Sequence, residues 1–192
     1  MVKNVGLILI FLLLSFAGLK AQDWYRLESP ACGFRCEFPG MPAESSQQIE
    51  SQIGYLMMHM FQYDASTDPG SENIMYMVNY TEYPDSLFHI TEPDRLDSFY
   101  RHAIDGVAAN TQGMVLSESP VTIAQYPGRE VKISLQSGQD MVSARLLLVI
   151  NKFYMYLVIY ESDKQNNPSV AKFFQSFHLL KEDNEGTQKE LN

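Results

Sequence analysis

Residues 141–162 read MVSARLLLVINKFYMYLVIYES, two nearly continuous apolar runs separated at Asn151 and Lys152, the first carrying Ser143 and Arg145. A strand with one face in water alternates apolar and polar side chains. These two do not, so each reads as a central strand covered on both faces. The fold therefore needs a sheet with material packed above and below it. The preceding REVKISLQ, Arg129 to Gln136, joins them through the turn SGQD, which makes a meander. GMVLSE and VTIAQ come before it and lead into a turn expected at YPGRE, Tyr126 to Glu130.

Upstream, Leu96, Phe99, Tyr100, Ala103, Ile104 and Val107 recur at spacings of three and four, the period of a helix with one buried face. Thr91 stands where a cap belongs, with Pro93 in the first turn. A second, shorter helix is expected to open at Asn167 and Pro168, with Val170, Phe173, Phe174 and Phe177 as its apolar stripe. Earlier still come the strands WYRLE and GFRCEF, then SQIGYLMMHMFQY and NIMYMVNYTEY around a polar loop, which read as a hairpin. Strands, helix, strands, helix is a segregated order. It predicts an α+β domain built on a single antiparallel β-sheet flanked by helices.

The chain begins with Lys3, an apolar run from Val5 to Leu19 and the small residue Ala21, the pattern of an export signal. The run is shorter than the roughly 20 apolar residues of a spanning helix. Residues 1–21 are therefore expected to be removed, residues 22–180 to form one domain, and the polar stretch 181–192 to be a disordered tail. Removal takes Lys3 and Lys20, so 12 basic residues face 23 acidic ones and the net charge goes from −9 to −11. Such a balance argues against nucleic acid and against anionic lipid. The expected protein is periplasmic or secreted, monomeric, and without stable membrane insertion once the signal is gone.

No catalytic motif emerges. His59, His89, His102 and His178 lack metal-ligand spacing, and no GxSxG, P-loop or dinucleotide fingerprint is present. An enzyme remains conceivable only as a site assembled in space. Asp64, Ser66, Asp68, Gly70 and Glu72 place oxygens at alternate positions, which suits calcium. Pro69 and Met75 nevertheless stand where the familiar calcium loop has its glycine and its acid, and a plain polar loop is the other reading.

Two features stand out. Cys32 and Cys36 are the only cysteines. A disulfide needs Cα atoms within about 7 Å, and four extended residues span roughly 13 Å, so the pair closes only around a sharp bend at Gly33. Two separate buried thiols and a redox pair are the other readings. Met58, Met60, Met75 and Met77 fall on one face if Tyr63 lies opposite Ile74 and Phe61 opposite Tyr76. That face reads as packing under a helix, as an adaptable binding surface, or as a thioether site for Cu(I).

A resemblance joins these pieces. Trp24, Ser29 and Pro30, followed by Gly33, Phe34, Phe38, Pro39, Gly40 and Pro42, form W-x-x-x-x-S-P and G-F-x-x-x-F-P-G-x-P; Asn151 to Leu157 and Phe173 to Phe177 close the pattern. It is similar to secreted bacterial proteins of the PsbP-like and DcrB-like group, and the Ala-Gln ending of the signal resembles those of Bacteroidetes. The resemblance implies a sheet flanked by helices and an accessory or scaffold role. It implies neither catalytic residues nor a cofactor. The expected function is non-enzymatic binding in the bacterial envelope, of an unknown envelope protein or a small ligand.

Overall fold

The computed structural model describes residues 23–51, 54–84, 93–135, 138–165 and 167–180. The expected signal, the tail, Thr91 and His89 lie outside them. Ten strands run in order: β1 Tyr25–Ser29, β2 Phe34–Phe38, β3 Ala43–Ser51, β4 Gly54–Asp64, β5 Asn73–Glu82, β6 Met114–Ile123, β7 Tyr126–Ser134, β8 Asp140–Val149, β9 Lys152–Glu161 and β10 His178–Leu179. Helix α1, Pro93–Asn110, follows β5, and helix α2, Pro168–Ser176, precedes β10.

These strands form two sheets where the sequence pattern suggested one. Seven pair in the order β3-β4-β5-β9-β8-β7-β6, and three in the order β1-β2-β10. All pairings are antiparallel. The small sheet arises because the chain leaving α2 returns to β2, pairing His178 with Arg35 and Leu179 with Phe34. It lies over the large sheet instead of extending it. β8 and β9 are central, and most of β8 and half of β9 are buried, as their largely apolar runs require.

The large sheet separates two cores. On one side Tyr76, Val78, Tyr80, Tyr154, Tyr156 and Val158 meet Phe34, Cys36 and Phe38 of β2 and Phe173, Phe174 and Phe177 of the α2 region. On the other, Val131, Val142, Ala144, Leu146 and Leu157 meet Tyr100 and Ile104 of α1. The predicted apolar stripe of α1 is the one that packs, and His102 lies exposed on its polar side. The Tyr100 hydroxyl donates to the Pro127 carbonyl at 2.7 Å and accepts from the Leu148 amide at 2.9 Å, tying α1 to two strands.

Three local expectations are corrected. Tyr63 lies opposite Tyr76 and Phe61 opposite Val78, a two-residue shift from the expected register. Because side chains alternate with period two, a shift of two keeps every residue on its expected face. The β6–β7 turn falls at Ala124 and Gln125, both with positive φ (47° and 72°), as a two-residue hairpin loop requires, so Tyr126 to Glu130 belong to β7. The segments expected separately in GMVLSE and VTIAQ are joined in one strand, β6, from Met114 to Ile123, which tolerates Pro120 because it is the sheet edge.

Candidate functional site

Helix α2 is held at both ends. At its start, Asn167 accepts from the Val170 amide at 3.2 Å as the cap, while its side chain and that of Asn73 exchange hydrogen bonds of 3.0 and 3.1 Å. At its end, the Ser176 hydroxyl donates to the Phe173 carbonyl at 2.8 Å and accepts from the Glu37 amide at 2.9 Å. That second bond matters because β10 reaches only Phe34 and Arg35, leaving the β2 edge beyond them without a strand partner on that side. Ser176 closes it.

The junction of α2 and β10 opens a cleft of about 310 Å³ along this edge. Its walls carry Arg26 from β1, Arg35 from β2, Lys172 from α2 and His178 from β10; Glu37 is the acidic member, and Gln175 supplies an amide. Register explains the grouping. Arg35 pairs with both Glu28 and His178, and Glu37 with Arg26, so all five project from the outer face of the small sheet. Arg26 reaches Glu28 at 3.4 Å. The Lys172 ammonium lies 4.2 Å from the Trp24 ring centroid. The His178 Nδ1–H donates to the Ser176 carbonyl at 2.8 Å, which leaves Nε2 free of that bond.

Cys36 forms part of the cleft floor, with its Sγ 3.3 Å from the Ser176 Oγ. Burial pushes its thiol up to about 12, against a smaller opposing effect of the Ser176 hydrogen bond. Cys32 is likewise raised, chiefly by burial. Both cysteines are buried free thiols. Gly33 does bend the chain between them, with φ +71° and its amide on the Pro30 carbonyl at 3.1 Å. Cys36, however, points across the sheet toward α2. A thiol held at about 12 is protonated at neutral pH and is no nucleophile. Ser176 spends its proton on the Phe173 carbonyl, so His178 does not activate it.

The methionine face assembles as expected. Met58, Met60, Met75 and Met77 share one side of β4 and β5, each half-buried, and Met77 packs against the core under α1. Asn79 sits among them with Met60 and Met155 as its lateral neighbours, and its Oδ1 is buried without a hydrogen-bond partner among the described residues. The polar hairpin loop uses its own carboxylates: Asp64 accepts from the Ser66 amide and hydroxyl at 2.9 and 2.6 Å, and Asp68 from the Tyr63 hydroxyl at 2.7 Å. Among the described residues no group of three His, Cys, Asp or Glu side chains is placed to hold a metal ion.

Arg26, Lys172 and His178 had no place among the sequence candidates for a site. The available signal was faint, a polar alternate row on β2 and a polar side on α2. Bringing them together required the β2–β10 pairing, and a two-residue strand has no periodicity to read.

Two antiparallel sheets with flanking helices describe a PsbP-like α+β fold. The likeness is to the solution structure of cyanobacterial PsbP (CyanoP) from Synechocystis sp. PCC 6803, with a TM-score of 0.54 over 85% of this chain and 96% of that one. Sequence identity is 13%, so what the two share is the fold. No protein-family model and no curated protein matches the chain. Among the described residues no helix is long and apolar enough to cross a membrane.

Proposed function

We propose that this is a non-enzymatic binding or accessory protein exported to the bacterial envelope, and that it holds its ligand, or a group of its partner, in the cleft between α2 and the small sheet. The observation that carries this reading is a concave site with basic walls in a chain of net charge −9. Its neutral hydroxyl and thiol are committed to structural contacts, which suits holding a group better than transforming it. The export pattern of residues 1–21 supports the location, and the PsbP-like fold is compatible with an accessory role.

The test is thermal unfolding of the protein against a panel of envelope metabolites and against envelope extract fractions, since a ligand selective for the native state raises the midpoint. The reading predicts a saturable rise that Arg35→Gln abolishes. It fails if the responding ligands stabilise Arg35→Gln and Lys172→Gln variants as much as the parent.

A second reading rests on the unpartnered Asn79 Oδ1 beside the thioethers: a soft-metal site for Cu(I) on the methionine face. A Cu(I)-dependent midpoint rise that vanishes when Met58, Met60, Met75 and Met77 become Leu would support it, and a rise unchanged in that variant would refute it.

A further inference from the structure

We infer that the ligand of the basic cleft is a small soluble molecule bearing a tetrahedral oxyanion of the phosphate type. This rests on the reading of that cleft as the binding site and names the chemistry it selects. The walls hold three permanent cations, Arg26, Arg35 and Lys172, against one carboxylate, Glu37. Arg26 is also paired with Glu28 at 3.4 Å on the same outer face, so with both carboxylates counted the cations remain in excess in a protein whose overall charge is negative. That excess selects an anion, and a neutral ligand leaves it unmatched.

The donor geometry points the same way. The Arg35 guanidinium offers forked pairs of N–H donors suited to two oxygens, Arg26 shares its guanidinium with Glu28, and the ammonium supplies donors from a different element. The donors come from β1, β2 and α2, so they approach from different directions and suit a group with several peripheral oxygens. Gln175 and His178 border the same space. Arg35 is the central member: half-buried, between Glu28 and His178 in register, and without a hydrogen-bond or ion-pair partner among the described residues. A partly buried guanidinium that no protein carboxylate takes up is a donor set kept open. Lys172 has the Trp24 ring as its contact, which positions the ammonium without neutralising it.

A cleft of about 310 Å³ lies at the small end of ligand sites. It suits free phosphate or a compact phosphomonoester. The net negative charge of the protein opposes approach to an anionic membrane, which favours a soluble source over a lipid headgroup.

The test is calorimetric titration of the purified protein at low ionic strength with inorganic phosphate, glycerol 3-phosphate, sulfate, succinate and glycerol, alongside vesicles of phosphatidic acid in phosphatidylcholine. The expected result is one saturable site for phosphate and glycerol 3-phosphate, with sulfate competing. Affinity should fall at least tenfold in Arg35→Gln and in Lys172→Gln, stay unchanged in Lys132→Gln, and weaken with added salt. The unliganded variants should melt with the parent, because both side chains face outward. Absence of saturable phosphate binding, binding that Arg35→Gln leaves intact, or preference for succinate would overturn the inference. Binding to phosphatidic acid vesicles without binding to the soluble esters would overturn the choice of a soluble ligand. The parent reading fails separately: if a panel metabolite binds and Arg35→Gln abolishes it while phosphate never binds, the cleft survives and the phosphate-type oxyanion does not.

Discussion

The two faces of the large sheet are built from different materials. Toward α2 and the small sheet the core is ring upon ring: Tyr156 stacks on Phe177 with centroids 4.2 Å apart, Phe173 meets Phe38 and Tyr76 edge-on at 5.3 Å each, and Phe34 meets Phe61 at 5.2 Å. Toward α1 the core is mostly aliphatic, with Tyr100, Phe99 and Phe153 as its rings, and grades into methionine at β4 and β5. Rings have few rotatable bonds and preferred contact geometries, whereas methionine has three flexible torsions and fills whatever space is left. The lesson is where precision has been placed. The cleft hangs on the aromatic side, with α2 anchored by Phe173, Phe174 and Phe177, so its cations sit on a stiff support. A ligand that needs several donors at once gains from such a support because less freedom is lost on binding. The methionine side is compliant.

The comparison breaks most readily at Phe173. It is fully buried among rings of both layers, and Phe173→Ala should cost about 3–5 kcal/mol in chemical denaturation. A loss under about 1 kcal/mol would mean that the aromatic side is as compliant as the other. The Asn73–Asn167 pair comes next. Either Asn→Ala change strands a buried amide and removes support from the α2 start, for about 1–3 kcal/mol, and the double variant should cost less than the two singles together. Strict additivity would mean the two asparagines act independently.

The thiol sharpens the comparison through pH. Cys36 has an ordinary value of 9.0 and is pushed up to about 12 in the folded protein. Between those values the unfolded chain has released a proton that the folded chain keeps, so rising pH favours unfolding. Its contribution is full below about 9 and declines toward about 12. Midpoints measured across that window should fall more steeply for the parent than for Cys36→Ala, and equal slopes would remove Cys36 as a cause. Smallest of all is the methionine side. Single Met58→Leu, Met60→Leu, Met75→Leu and Met77→Leu changes conserve volume and should each cost less than about 1.5 kcal/mol; larger losses would give that face the same precision as the rings.

Much of this contrast could be read before the structure. The helical stripe of α1, the Asn167–Pro168 start of α2 and the sorting of residues between the faces of β4 and β5 all follow from periodicity and capping, which are local. Face sorting held although the register was two residues off, since period-two patterning is blind to even shifts. What periodicity could not deliver was the second sheet. It depends on His178 and Leu179 pairing with residues more than 140 positions earlier, and two residues form no pattern. β3 escaped for the opposite reason: AESSQQIES is an exposed edge strand with almost no apolar alternation. The cleft depends on that second sheet, so its cations were visible only as scattered charges, while the methionines, adjacent on one hairpin, were conspicuous.

The most direct measurement is an NMR titration of the labelled protein with inorganic phosphate, following backbone and side-chain signals together. The account predicts saturating shifts concentrated at Arg26, Arg35, Lys172, Ser176 and His178, with the signals of Met60, Met77 and Asn79 unmoved. Shifts concentrated on the methionine face, or small unsaturable shifts spread over the whole molecule, would contradict it.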